Sequence, residues 1–320
     1  MSLDQLRDRL FGTSRAARRF RQRGNRAARR PCGTPLTSER LEDRVVLSGV
    51  TITSGMTINV ANGDVAGLIS AITTANADGQ PTTIVLATNG VYDVSSIDNT
   101  VTFFYGTTAN GLPQITGNVT IDGNGATLER SSAAGTPAFR LLDLQSGELT
   151  LNNLTIANGE ESRDALPAGS WALGGGILDL FASSLTLNGV TLQDNSVIGS
   201  TGAVGGTGAG GSTTAPNKGG TGGDGGIAEG GALYDLGGSV TIINSQITSN
   251  SATGGGGGTG GDGLNLTNSL GEGYGGDGGN GGLAEAGGVY AFGGTLTINN
   301  STIAANSAVG GPGGQGGAPG

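Results

Sequence analysis

The stretch "LTLNNLTI" (149–156) returns three times, as "LTLNGVTL" (185–192), "VTIINSQI" (240–247) and "LTINNSTI" (296–303). Each copy reads apolar–Thr–apolar, then a polar pair rich in Asn and Gly, then a second short segment. Alternation with period two points Leu149 and Leu151 to one face and Thr150 to the other. Asn and Gly tolerate the left-handed backbone conformation, so the middle pair can turn the chain sharply. Each copy therefore predicts two short strands joined by a bend. An earlier relative, "VTIDGNGATL" (119–128), carries two extra residues in the bend.

A third strand leads into each of the later copies: "GGGILDLFASS" from 174, "GGALYDLGGS" from 230 and "GGVYAFGGT" from 287, spaced 56 and then 57 residues apart. Within each module roughly 22 residues are strand and turn, which suits a parallel β-helix whose turns stack at ~4.8 Å. One such turn buries too few aliphatic side chains to offset the entropy of ordering it, so neighbours must stack and the ends need cover. The expected fold is all-β, a parallel β-helix solenoid over residues 49–320.

"DVAGLISAITTANADGQ" (64–80) sets Val65, Leu68, Ile69 and Ile72 at helical spacing, with Asp64 as N-cap and Gly79 as the stop. This helix is placed to cap the N-terminal end of the stack. "PTTIVLATNGVYDVSS" (81–96) reads as two strands around a Thr-Asn-Gly turn, and no further helix is expected before residue 308. The last stretch, "AVGGPGGQGGAPG" (308–320), stops inside a third glycine segment, 309–320. The C-terminal end of the stack is thus expected to continue in a longer protein.

Of the 320 residues 66 are Gly, one is Cys and none is His. Without histidine there is no Ser-His-Asp triad, no Cys-His pair and no imidazole-bound zinc. Cys32 has no partner for an internal disulfide. Residues 1–44 carry 12 of the 16 basic residues and five acidic ones, while the rest carries four basic and 20 acidic. The body is therefore a poor nucleic-acid binder, since that work needs a basic surface.

The arm, residues 1–48, opens "SLDQLRDRLFGTSRAARRFRQRGNRAARRP" (2–31), with Ser2 and Gln5 spaced as a capping box. It reads as a basic helix or a disordered tail, as a contact for an anionic membrane or nucleic acid, or as a targeting segment. No apolar run follows the arginines as a secretory signal requires, and no stretch is long and apolar enough for a transmembrane helix.

"ERLEDRVVLS" (39–48) resembles the LEPR-XLL segment found near the N-termini of many planctomycete surface proteins. Leu41, Glu42, Arg44, Leu47 and Ser48 match, and Asp43 stands where proline is usual. This resemblance implies an exported, cell-surface or extracellular location. From "GLISAITTANA" through "GELTLNNLTIANG" the body resembles the opening of pectin-lyase-like right-handed β-helix proteins found with choice-of-anchor Q domains. "GGALY … ITSNSA" and "GGVYA … IAANSA" are similar to the GGAI and FxxN repeats of polymorphic outer membrane proteins. Leu233 replaces the motif's Ile, and Ile247 and Ile303 replace its Phe. The handedness is what the resemblance implies, and so is a surface role, although the family is functionally mixed.

The inserts, 199–229 and 253–286, hold 13 and 16 glycines and share "GGTGGDG". They read either as flexible excursions from one corner or as stacked extended strands, the two inserts packing on each other. "GGTGGDGLN" (257–265) also fits the calcium-binding nonapeptide, with Asp262 as ligand, but its neighbours do not repeat the pattern as calcium-binding rolls require. No other cofactor is expected.

Asp179 and Asp235 occupy equivalent positions and read either as turn residues or as two carboxylates close enough to hold a cation or raise one pKa. Asn195, Asn250 and Asn306 follow the second strand in each module and are expected to form a hydrogen-bonded ladder. Tyr234 and Tyr290 align likewise, as a stack or a carbohydrate contact. A lyase of this fold needs acidic calcium ligands and a basic proton acceptor, and a hydrolase needs paired carboxylates. Arg130, Arg140, Arg163 and Lys218, the only basic residues of the body, fall in no such motif. The sequence therefore points to a non-catalytic, adhesin-like surface scaffold with no assigned catalytic residue. Its partner is an unidentified surface or matrix component, with carbohydrate a candidate. The rivals are a carbohydrate-active enzyme whose site lies further along a longer chain, and a calcium-binding glycine-rich repeat protein.

Overall fold

The computed structural model describes residues 55–103, 106–163, 168–181, 183–208, 218–264 and 273–320. The expectations for the basic arm and the LEPR-XLL-like segment lie outside the described residues. What is described is mostly β, with one α-helix, and all sheets but one are parallel.

The helix, Val65–Asp78, begins where the Asp64 side chain accepts a hydrogen bond from the Gly67 N–H at 2.8 Å. It ends at Gly79, whose φ of 66° is left-handed. Leu68 and Ile72 are buried, Val65 and Ile69 pack beside them, and this face lies against the first strands of the largest sheet.

That sheet sets Met56–Val60, Thr82–Leu86, Asn118–Arg130, Glu148–Ala157, Ser184–Asn188, Ser239–Ile243 and Thr295–Asn299 side by side. Leu149 pairs with Leu185, Leu185 with Val240 and Val240 with Leu296, so the four aligned segments lie parallel and in register. The second half of each copy continues the sheet, through Thr191–Gln193, Gln246–Thr248 and Thr302–Ala304. The bend is left-handed in each module, at Asn153, Gly189, Asn244 and Asn300, with φ between 45° and 63°. The two extra residues of 119–128 form an irregularity between Asp122 and Ala126.

Leu142–Leu144, Ile177–Leu180, Leu233–Leu236 and Val289–Phe292 form a second parallel sheet. Its register step is 56 residues from Ile177 to Leu233 and again from Leu233 to Val289, not 56 and 57. Ala286 stands where Gly174 and Gly230 stand, and takes the same left-handed conformation with φ of 52°. Two narrow parallel sheets were not legible in the sequence: Glu160–Ser162, Ser196–Ile198, Ser251–Thr253 and Ser307–Val309, and Ala172–Leu173, Ala228–Glu229 and Ala284–Glu285. Strands of two or three residues are too short to display a period. The exception to parallel pairing is the hairpin Asn99–Phe103 with Gly106–Asn110.

The apolar faces of the largest sheet meet in the main core, in which Leu149, Leu185 and Val240, then Leu151, Leu187 and Ile242, are fully buried. Their equivalents on the last strand, Leu296 and Ile298, are 39% and 41% exposed.

The glycine inserts are hydrogen-bonded to one another. Outgoing legs 199–208, 254–264 and 310–320 lie beside each other, and return legs 218–226 and 273–282 form a second layer. In the first leg the N–H groups of Gly199, Gly202, Gly205 and Gly208 donate to carbonyls of Thr253, Gly256, Thr259 and Asp262 at 2.8–2.9 Å. Between layers, Gly220, Gly223 and Gly226 donate back to Gly206, Ala203 and Ser200 at 2.7 Å. Donors recur every third residue, as in a polyproline II helix of three residues per turn, whereas a β-strand would repeat every second. A Cβ on Gly258 would sit 2.0 Å from the Ala203 carbonyl oxygen, and one on Gly279 would sit 1.9 Å from that of Gly223. The backbones approach too closely for any side chain, which is why glycine fills this face.

Candidate functional site

Asp179 pairs with Asp235 on adjacent parallel strands, with Leu144 before them and Ala291 after. They are strand residues rather than turn residues. Two positions after Ile177 and Leu233, they share the face that points into the main core. Both are fully buried. The chain turns a corner just beyond, and that corner supplies one donor to each carboxylate. The Ser183 hydroxyl lies against Asp179 Oδ1, and the Gly238 N–H donates to Asp235 Oδ1 at 2.8 Å. The other oxygen of each, Oδ2, has no hydrogen-bond partner among the described residues.

The two carboxylates converge on Gly238, where a Cβ would meet Asp179 Oδ2 at 2.7 Å and Asp235 Oδ1 at 2.9 Å. Burial pushes Asp179 up to about 7, against the pull of Ser183 and with the charge of Asp235 adding to the rise. Burial raises Asp235 as well, opposed by the Gly238 N–H.

A second acidic pair was missed in the sequence. Glu229 lies in register with Glu285, and both continue the column that begins at Leu173. Burial and the charge of Glu285 raise Glu229 to about 7. The signal was present, since "AE" stands before the corner glycines in "IAEGG" and "LAEAGG". Close by, Tyr234 and Tyr290 stack with centroids 5.3 Å apart and planes at 9°. They belong to a cluster with Trp171, Leu173, Leu178 and Leu180. Tyr234 is buried, so of the two tyrosines only Tyr290 has ring surface open to a ligand.

Asn195, Asn250 and Asn306 are joined in series. Asn250 Oδ1 accepts from the Asn195 N–H at 2.9 Å and from Asn195 Nδ2 at 3.0 Å, and Asn306 Oδ1 accepts from the same two groups of Asn250. Gly159 takes the equivalent place in the earlier module and donates to Asn195 Oδ1. A parallel series of serines escaped the sequence reading: Ser245 Oγ accepts from the Val190 N–H, and Ser301 Oγ from the Ser245 N–H, each at 3.0 Å. Asp262 is exposed, and its Oδ1 accepts from the Ala318 N–H of the neighbouring leg at 2.8 Å. Among the described residues no three His, Cys, Asp or Glu side chains are grouped to hold a metal.

The basic residues of the body are each placed against an acid. Arg130 pairs with Glu160 at 3.0 Å and lies over the Phe139 ring. Arg140 and Arg163, both buried, flank Glu161 at 3.4 and 2.8 Å. Arg140 also donates to Thr108 Oγ1 at 2.8 Å and to the Leu173 carbonyl at 2.6 Å, tying the antiparallel hairpin to the strands beneath it. Lys218 pairs with Asp277 at 2.9 Å on the surface.

Among the described residues no helix is long and apolar enough to cross a membrane. Compared with protein-family models, with curated proteins and with solved structures, the chain finds no match in any of the three.

Proposed function

We propose that this chain is a structural scaffold of the right-handed parallel β-helix type, exported and displayed at the cell surface, whose work is mechanical and adhesive rather than catalytic. The observation that carries this reading is the double registration of successive modules. The strands pair at every junction, and the glycine legs that leave those strands pair again in the same order. A chain that spends so many backbone hydrogen bonds on joining one module to the next is organised to resist being pulled apart. Location at the surface rests on the LEPR-XLL-like and polymorphic outer membrane protein resemblances, and a carbohydrate or matrix component is the expected partner.

The chemistry near the surface supports the same reading. A β-eliminating lyase needs a basic group free to take a proton, and Arg140 and Arg163 are buried against Glu161 while Arg130 is held by Glu160. Turnover assays on polyuronates and neutral glycans, with and without Ca²⁺, test the reading. No release of reducing or unsaturated ends is expected, and clear cleavage would overturn it.

One observation favours the second reading, a carbohydrate-active enzyme. Glu229 and Glu285 stand on adjacent strands with unequal environments, Glu229 buried and Glu285 exposed, in register with Leu173 of the aromatic cluster. Two carboxyl side chains on adjacent strands, one of them raised by burial, are the kind of pair that a retaining hydrolase uses. Under that reading Glu229→Gln abolishes any activity found.

A further inference from the structure

The scaffold reading leaves Asp179 and Asp235 unused. They are fully buried, adjacent, and each holds one oxygen without a partner. We propose that Asp179 and Asp235 share a single proton between their carboxyl groups at neutral pH, forming an acid–carboxylate hydrogen bond that joins two successive modules and is lost in alkali.

Charge and hydrogen-bond counting both point to one proton. Fully ionised, the pair would set two like charges about 4.8 Å apart, one strand spacing, in a desolvated interior. Nothing nearby cancels them. The positions above and below in the sheet are Leu144 and Ala291, and the corner offers Ser183 and Gly238, none of which carries a charge. The Gly238 N–H is used on Asp235 Oδ1, and the one Ser183 hydroxyl hydrogen is shared between Asp179 Oδ1 and the Leu180 carbonyl, so the corner has no donor left for the Oδ2 atoms. With no proton, two buried acceptors stay unmet, and with two protons, two donors face each other. With one, the O–H on one carboxyl donates to the other carboxylate and both are satisfied. Burial raises both groups, Asp179 to about 7, in the direction this requires. Because Ala291 replaces the aspartate in the next module, this link occurs at one junction only.

The sign of the pH effect follows from the raised values. The folded state holds its proton more tightly than the unfolded chain, so the contribution is complete in acid and is lost as pH rises through about 7. Glu229 and Glu161 shift the same way. Glu229 is silenced by E229Q, and Glu161, which contributes equally to both chains, cancels when D179N is compared with its parent in that background. D179N, whose amide N–H replaces the proton, should flatten the fall of the folding constant between pH 5 and 7 by up to about tenfold per pH unit relative to that parent.

Carboxyl-carbon NMR of the parent chain supplies the test that needs no variant. The pair should titrate in two separated steps, the second near or above neutrality. Two ordinary acidic titrations would overturn the proposal. So would a stability that follows Ca²⁺ or chelator at constant pH, which would mean that a cation, not a proton, holds the pair.

Discussion

Asparagine serves at two corners of the modules, with Gly189 and Gly159 replacing it at one position of each kind, and the roles follow from the backbone at each. At Asn153, Asn244 and Asn300 it supplies left-handed backbone, a conformation that costs other side chains roughly 1–2 kcal/mol. At Asn195, Asn250 and Asn306 it supplies side-chain oxygens to main-chain donors of the preceding module. The residue before each ladder asparagine bears the left-handed strain instead: Asp194, Ser249 and Ala305, with φ of 55–58°. The roles predict unequal costs. Asn250→Ala strands the buried N–H of Asn195 and takes one of the two acceptors of its Nδ2, and should destabilise by about 2 kcal/mol. Asn188→Ala removes only an exposed 3.3 Å contact to Asn152 and should stay within about 0.5 kcal/mol. Denaturant midpoints of the two variants check the difference. Equal values would mean that the buried series carries no special weight.

At the scale of elements, the legible parts were those of four residues or more, or those that lay within a longer repeat. The alternation of "LTLNNLTI" is long enough to fix which face is buried, and the helix at Val65–Asp78 is bounded by a capping aspartate and a stopping glycine. The register of the second sheet slipped by one because a Gly-Gly pair can be matched in two ways when Ala286 replaces the first glycine. The orientation of Asp179 could have been counted from Ile177, two residues earlier on the same strand. In the hairpin only the first strand alternates, at Val101 and Phe103, while its partner Gly106–Asn110 reads GTTAN and is held by Arg140 and by hydrogen bonds among Asn99, Asn110 and Asp143. The glycine legs did carry a signal, recurrence at every third residue, which a search for periods of two and 3.6 passes over. Their geometry separates glycines that must be glycine from those that need not be. Gly258→Ala places a methyl 2.0 Å from the Ala203 carbonyl oxygen and should cost about 1–3 kcal/mol while speeding amide exchange along the adjoining legs. Gly256→Ala meets nothing nearer than Pro312 at 3.7 Å and should be neutral within about 0.5 kcal/mol. If both are silent, the legs are not packed as described.

For the molecule as a whole, every feature above follows from one arrangement: equivalent residues of successive modules lie next to one another, parallel, without slippage. The aliphatic core, the asparagine and serine series, the Asp179–Asp235 pair and the interlocked glycine legs all need it, and the proposed β-helix scaffold rests on it. Thr186, Thr241 and Thr297 stand at one position in three consecutive strands, with Thr186 and Thr241 half-buried on the outer face of the sheet. Cysteines at 186 and 241 would have Cα atoms about 5 Å apart, within disulfide reach, whereas those at 186 and 297 would be about 10 Å apart and out of reach. With Cys32 replaced by serine, the most direct measurement is the yield of intramolecular disulfide in these two double-cysteine chains under mild oxidation. Near-complete bridging of T186C/T241C and none of T186C/T297C is the predicted result. Bridging of the distant pair, or of neither, would contradict the stacking on which the proposed scaffold depends.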